Sequence, residues 1–598
     1  MIVLLSFLDG GALAGALRAP SWLAASTPTP LTRPPRAAVA KPGGGIGLGP
    51  SPTPSQEAQV EALLGRMTLR QKVGQMLMFG FPGTTADAAA SRIRGYAPGS
   101  IFLLWNTVDA AQTAQLTRGL QQLAAESGAG IPLFVSIDHE GGAIQRLRAG
   151  VTYFPAKQAL GATASPELAR LEGAVEGREL RALGINVSLG PSLDVDSNPA
   201  NPIIGAYQRS LGSSPELVAR LGLAYVEGLQ GERVAAVVKH FPGHGDTSTD
   251  SHLALPSLSR DWATLDRLEL PPFRAVIGST AAVMTSHIMF PDLDPTWPAG
   301  LSPVFVRQLL RERLGYDGLV MTDDTDKMAA ITSNFRPGTA TVQAVRSGSD
   351  LVIVAENDQR QDESFAALLD AAERGEIPPS RIDDSVRRIL RAKMTYGLFE
   401  EQPAYRPGST GTAEGADAVR RVAEGAITLV QDEGALLPLR GGRIVVVSPD
   451  ALPAGRGGTR LGEQIAQRQP QTSEIVFSLT GNNSGVLERA LAAARGADAV
   501  VVGTRDAGPW QRSLLQALKA AGAPTIVVGF GPPYEVARLP RGVTYLAAYW
   551  PQTELVDAAV KVLFGQIPAG GRLPVRIAGL YEPGHRYEKT PVRPARSP

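Results

Sequence analysis

The stretch Val234-Ala-Ala-Val-Val-Lys-His-Phe-Pro-Gly-His-Gly-Asp246 decides how this chain is read. Its first five residues form an unbroken apolar run, as expected of a strand buried on both faces. A loop broken by Pro242, Gly243 and Gly245 follows. Continued to Asp250-Ser-His252, it carries three histidines, a lysine and two aspartates within fourteen residues. A titratable cluster on a loop directly after a buried strand is how barrel enzymes present catalytic groups.

Seven further apolar runs flank this one. They are Gly74–Gly80, Gly99–Trp105, Pro132–Asp138, Ile185–Pro191, Ala281–His287, Gly318–Asp323 and Asp350–Ala355. Amphipathic stretches such as Ala110–Ala125, Pro166–Leu183, Pro215–Leu229 and Pro303–Leu314 lie between most of them. Pro166 and Pro215 each follow a serine, a helix-start signal. Strand–helix alternation with continuous apolar strands predicts a parallel sheet covered on both faces. Eight such units over residues 57–400 predict a (β/α)8 barrel, with an open doubly wound sheet as the rival.

Residues 401–415 read as a linker. Beyond it, 416–598 repeats an α/β pattern. Strands are expected at Arg443–Ser448, Ala499–Gly503, Thr525–Gly529 and Thr544–Ala548, and helices around Leu487–Ala494 and Trp510–Ala520. This predicts a smaller three-layer α/β sandwich without a catalytic cluster of its own. Residues 1–56 combine an apolar start, Met1–Leu8, with a Pro/Gly-rich stretch. They read as an export signal followed by a linker, from which an extracellular, periplasmic or cell-envelope location is expected, with a disordered tail on a cytoplasmic protein as the alternative.

The totals narrow the function. A net charge of +1 gives no reason to expect nucleic acid as a partner. With no cysteine, disulfides, thiolate metal sites and cysteine nucleophiles are excluded. No segment has the ~20 uninterrupted apolar residues of a membrane span.

Five of the six histidines (139, 240, 244, 252 and 287) lie at or just past the ends of expected strands. In a barrel those ends converge on one face. Two chemistries suit the set. A metal hydrolase would use several His and Asp as ligands, but Pro242 and Gly243 separate His240 from His244 and no helical His-x-x-x-His remains. Double displacement at a sugar carbon needs a carboxylate nucleophile and a general acid/base. Asp323, on a loop after an apolar strand, suits the first role, with Asp324 as the alternative carboxylate. Asp250-x-His252 suits the second, because an imidazole needs only orientation and tuning by a neighbouring aspartate. His244, His287 and Asp246 read as loop-bracing or wall groups.

Lys239-His-Phe-Pro-Gly-His-Gly-Asp-Thr-x-x-Asp-Ser-His252, followed by Pro256, closely resembles the signature of glycoside hydrolase family 3, in its bacterial β-N-acetylhexosaminidase branch. Asp138-His-Glu-Gly-Gly-Ala-Ile-Gln-Arg-Leu147, Ile204-Gly-x-x-x-Arg209-Ser and Gly318-Leu-Val-Met-Thr-Asp323 extend the resemblance. Ile427-Thr-Leu-Val, Leu436-Leu-Pro-Leu and Gly570-Gly-Arg-Leu-Pro-Val carry it into the second domain. The resemblance implies a two-domain retaining β-N-acetylglucosaminidase without metal or organic cofactor. Asp323 would be the nucleophile, and His252 the general acid/base partnered by Asp250. Asp138, Arg209, Lys239 and His240 would bind the terminal sugar. The substrate implied is a terminal β-linked N-acetylglucosamine on a peptidoglycan fragment or chitooligosaccharide. The alternatives are a β-glucosidase or β-xylosidase of the same family, a glycoside phosphorylase, and an inactive wall-sugar-binding protein.

Two departures from the family pattern bear on substrate preference. Asp324-Thr-Asp-Lys-Met328 is one residue out of register, and Ala143-Ile144 stands where Arg-Val is usual.

Overall fold

A computed structural model describes residues 53–450, 461–479, 481 and 483–588. The expected export signal and nearly all of the linker after it lie outside these residues. Among the described residues the first helix is Pro54–Arg66, which starts inside the span expected to be linker. Thr53 starts it with a reciprocal cap: its hydroxyl accepts the Gln56 N–H at 3.2 Å, and the Gln56 side chain accepts the Thr53 N–H at 2.8 Å.

Eight parallel strands follow: β1 (Leu77–Phe79), β2 (Ser100–Leu103), β3 (Phe134–Ile137), β4 (Val187–Ser188), β5 (Ala235–Phe241), β6 (Ala282–Thr285), β7 (Leu319–Thr322) and β8 (Val352–Val354). Their order runs continuously from β7 through β1 to β8. A parallel bridge between Met321 and Leu351 joins β7 to β8 and closes the ring. Seven strands lie within their apolar runs, and β5 continues three residues past Val238, so Lys239 and His240 stand on the strand and not on the loop after it. The closure makes the structure a barrel and not an open sheet. Every strand residue is buried, because helices cover the outside and side chains such as Met78, Phe134, Val237 and Met321 fill the inside.

The helices Pro166–Ala182 and Pro215–Gly231 begin as expected. Ser165 and Ser214 cap the Leu168 and Leu217 amides at 3.2 and 3.3 Å. The two helices pack backbone to backbone. A Cβ on Gly173 would lie 2.3 Å from the Tyr225 carbonyl oxygen, and one on Gly228 would lie 2.1 Å from that of Arg170. Between them a buried polar set (Lys157, Glu172, Glu176 and Tyr225) reaches β4 through Ser188, whose hydroxyl donates to Glu176 at 2.7 Å. The expected helix at 303–314 differs in type: Val304–Arg313 is a π-helix, wound wider than an α-helix.

Helix Ala413–Ala426 begins within the expected 401–415 linker, capped by Thr412. It leads into a six-stranded sheet of β9 (Thr428–Gln431), β10 (Ile444–Pro449), β11 (Thr472–Phe477), β12 (Ala499–Thr504), β13 (Thr525–Gly529) and β14 (Thr544–Ala547). The order is β11-β10-β12-β13-β14-β9, with only β9 antiparallel. Four of these strands are the expected ones, and β9 and β11 extend the sheet at its two edges.

The domains meet through backbone as well as side chains. Ser213 N–H donates to the Pro574 carbonyl at 3.0 Å, and Arg576 N–H donates to the Ser213 hydroxyl at 2.8 Å. Trp550 Nε1–H reaches the Tyr153 hydroxyl at 3.2 Å.

Candidate active site

The C-terminal ends of β3, β4, β5 and β7 converge on one polar cluster. Past β3, Asp138 and Glu140 turn toward Lys239 on β5, whose ammonium lies 2.8 and 2.7 Å from the two carboxylates. Arg209, on the long connection after β4, grips Glu140 through Nε and Nη2 at 2.9 and 2.8 Å. The same Nη2 lies 3.4 Å from His240 Nε2. The four residues expected to bind sugar are therefore neighbours, assembled around a carboxylate to which sequence reasoning gave no role.

Burial alone would raise the Glu140 carboxyl, but Arg209 and Lys239 outweigh it and hold it far below the usual range. Glu140 is an anion at neutral pH and fixes both cations by charge-assisted hydrogen bonds.

A second unforeseen carboxylate, Asp194 after β4, is fully buried. It accepts from His240 Nδ1 at 2.7 Å, from the His240 N–H at 3.2 Å and from the His244 N–H at 2.7 Å. Burial opposes its charge, yet the histidines and the amide hold its carboxyl low. An ionised carboxylate only accepts, so Nδ1 of His240 carries the proton, which sets the ring's orientation. A signal for Asp194 existed: Pro191-Ser-Leu-Asp194 places it at a strand end, as with the histidines.

His252 and Asp250 face each other on the loop after β5. Asp250 Oδ1 accepts both the His252 N–H at 2.9 Å and Nδ1 at 2.8 Å. The His252 side chain is 45% exposed, and its Nε2 has no hydrogen-bond partner among the described residues. Burial raises and the His252 contact lowers the Asp250 carboxyl, with a net shift downward. His244 braces this loop, contacting Ser251 at 3.1 Å and Thr247 at 2.9 Å. Burial, with help from His240, pushes its pKa down to about 4, so it is neutral. Asp246 pairs with Arg260, away from the cluster.

Asp323 stands one residue past β7, its N–H bonded to the Thr285 carbonyl at 3.0 Å. Burial would raise its carboxyl, but His240, His287 and His252 together with the Asp324 N–H hold it below the usual range. His287 fixes the loop from below, with Nε2 3.2 Å from the Asp323 carbonyl oxygen.

Asp324 turns the other way. It accepts the Asp326 N–H at 3.0 Å, and burial beside Asp326 raises its pKa far above the ordinary value. Asp326 in turn accepts the Asn357 N–H at 2.7 Å. The out-of-register Asp324-Thr-Asp segment thus ties the β7 loop to the β8 loop. Among the described residues no three His, Asp or Glu side chains are grouped to hold a metal ion.

The arrangement offers an ionised carboxylate at the floor, a histidine with one free nitrogen at the mouth, and a fixed set of donors and acceptors between β3 and β5. All these side chains come from the barrel.

Residues 68–392 match the glycosyl hydrolase family 3 N terminal domain, and 427–594 match the family 3 C-terminal domain. The Beta-hexosaminidase A of Pseudoalteromonas piscicida is 34% identical over 377 residues, covering 59% of this chain and 62% of its own length. A Beta-N-acetylglucosaminidase/beta-glucosidase of Cellulomonas fimi is 29% identical over 555 residues, 87% of this chain and 95% of its own. The solved structure of a glycoside hydrolase family 3 β-N-acetylglucosaminidase from Paenibacillus sp. str. FPU-7 superposes with a TM-score of 0.78 at 40% identity, covering 86% of this chain and 99% of that one. The chain belongs to glycosyl hydrolase family 3, a family of O-glycosyl hydrolases. Within it, the chain stands in the bacterial β-N-acetylhexosaminidase branch.

Proposed function

We propose that the protein is a retaining exo-β-N-acetylglucosaminidase acting on peptidoglycan fragments or chitooligosaccharides. The observation that carries this reading is the Asp250–His252 pair: Nδ1 is held at 2.8 Å while Nε2 is free. Such a histidine can give a proton through Nε2 and take it back, while Asp250 keeps the ring oriented and steadies its charged form.

In the first step Asp323 attacks the anomeric carbon while His252 Nε2–H protonates the departing glycosidic oxygen. The bond to the leaving group breaks as the Asp323–sugar ester forms. In the second step His252, now neutral, takes a proton from water, which attacks the same carbon and releases Asp323. Two inversions give net retention. Asp138, Arg209, Lys239 and His240 hold the sugar's hydroxyls and N-acetyl group, so the reacting carbon is presented to Asp323 at little further entropic cost. The relatives' printed activities and the low Asp323 pKa support this assignment.

The test is hydrolysis of aryl β-N-acetylglucosaminide beside aryl β-glucoside, with proton NMR of the first-formed sugar and inorganic phosphate present or absent. Preference for the N-acetyl sugar with β product supports the reading. An α product first would reject double displacement. A sugar 1-phosphate would make the enzyme a phosphorylase, and preference for the glucoside would change the sugar.

A further inference from the structure

Four of the six large apolar side chains exposed among the described residues (Trp105, Val108, Tyr207 and Leu253) lie on connections that leave the barrel's C-terminal end. Trp105 is the largest. It follows β2 by two residues and is 67% exposed.

A lone exposed aromatic is ordinary on a protein surface. This one is held from two sides. The Arg146 guanidinium carbon lies 4.4 Å from the ring centroid, and Arg146 Nη2 lies 3.7 Å from Asp138 Oδ2. From the β7 loop, Lys327 Nζ lies 5.6 Å from the same centroid, four residues after Asp323. Each cation is itself anchored, Arg146 toward Asp138 and Lys327 on Glu356. The indole is therefore set in place by cation–π contacts and still leaves most of its surface open to solvent.

The rim continues from there to the loop that carries His252. Ala329 N–H donates to the His252 carbonyl at 3.3 Å and Ala330 N–H donates to that of Ser251 at 3.1 Å. Trp105 thus stands at the mouth beside Asp138, on the side reached by the β7 loop.

We infer that Trp105 is the stacking platform for the pyranose ring of the leaving group. This rests on the hydrolase reading above and names what that reading leaves open, the group attached to the terminal sugar. A sugar seated on Asp138 and attacked from Asp323 projects its glycosidic oxygen outward to His252, and the next ring must cross the mouth. The C–H face of a pyranose is apolar and matches a rigid indole, which gives area at small entropic cost. A leaving group too small to reach the rim gains nothing from it.

The experiment compares kcat/KM of wild type, Trp105→Ala and Trp105→Phe on N,N′-diacetylchitobiose and on trifluoroethyl β-N-acetylglucosaminide. The expected result is a roughly ten-fold fall on the disaccharide for Trp105→Ala. On the trifluoroethyl glycoside the change should be less than about two-fold, with Trp105→Phe recovering most of the loss on the disaccharide. Equal falls on both substrates would make Trp105 a brace for Arg146 and Asp138 and overturn the platform, and so would no fall on either. A wild type that turns over neither substrate would instead defeat the hydrolase reading.

Discussion

Arg209 holds Glu140 by two parallel contacts, at 2.9 and 2.8 Å, although the two residues come from different connections and are 69 positions apart. Together with Lys239 they form a buried set of fixed charges whose geometry survives because each member is paired.

Replacing one member therefore has a cost in stability. Glu140→Gln leaves Arg209 and Lys239 with one fewer counter-charge in a buried place. The expected destabilisation is about 3–5 kcal/mol, read from chemical denaturation. Because the folded Glu140 carboxyl lies below the ordinary 4.5, its contribution is whole above that value and is lost as pH falls through the lower one. The variant should accordingly lose part of the wild type's acid-induced decline. An unchanged acid limb would show that Glu140 is not ionised through its partners.

Asp323→Ala should lower kcat/KM by about 10^4-fold or more if this carboxylate forms the covalent intermediate. Asp324→Asn should keep most of the activity, since that side chain is engaged with the Asp326 and Ala355 N–H groups, which an amide oxygen can accept equally well. A reversed order of effects would move the nucleophile to Asp324.

His252→Ala should cost about 10^2–10^4-fold on a poor leaving group. With dinitrophenolate as leaving group, which departs without a proton, the first step should be much less affected and the ester should accumulate as a burst. Asp250→Ala should act in the same direction and more weakly, because it removes orientation and leaves the imidazole. Equal loss on both leaving groups would remove His252 from proton transfer.

Glu269 gives a pH prediction of opposite sign to Glu140. It lies behind the Pro242–Gly243 turn, its carboxyl pushed up to about 8 by burial and then by the Asp194 charge. A folded value above the ordinary 4.5 means that the folded chain keeps a proton the unfolded chain has released. Stability from this group is whole below about 4.5 and is lost as pH rises through about 8. Glu176 and Asp196, raised to about 7 chiefly by burial, act in the same sense. The melting temperature should therefore fall across this window, and Glu269→Gln should flatten the fall. A slope unchanged in the variant would mean that Glu269 ionises normally.

The barrel was legible because its strands are buried on both faces and so read as unbroken apolar runs. β11 was not: Thr472-Ser-Glu-Ile-Val-Phe477 is an edge strand, only partly buried, with polar residues among the apolar ones. β9 is four residues long and follows a helix directly, so no turn signal isolates it. At the site, the histidines and aspartates of the long motif were visible by type and spacing. Asp194 and Glu140 were not assigned, because their roles depend on partners 46 and 69 residues away. The clamp from the second domain left little trace in side-chain chemistry, since Ser213 and Pro574 meet through the backbone and the one side-chain group added there is the Ser213 hydroxyl, which accepts from the Arg576 backbone.

That clamp decides how these domains can be recombined. The segment carrying Arg209 rests, four residues on, against the edge formed by Pro574 and Arg576. A chimaera that takes its second domain from a relative must therefore also take the 210–214 stretch, or match the new edge to it. The natural unit of exchange is a barrel loop together with the distant segment that supports it.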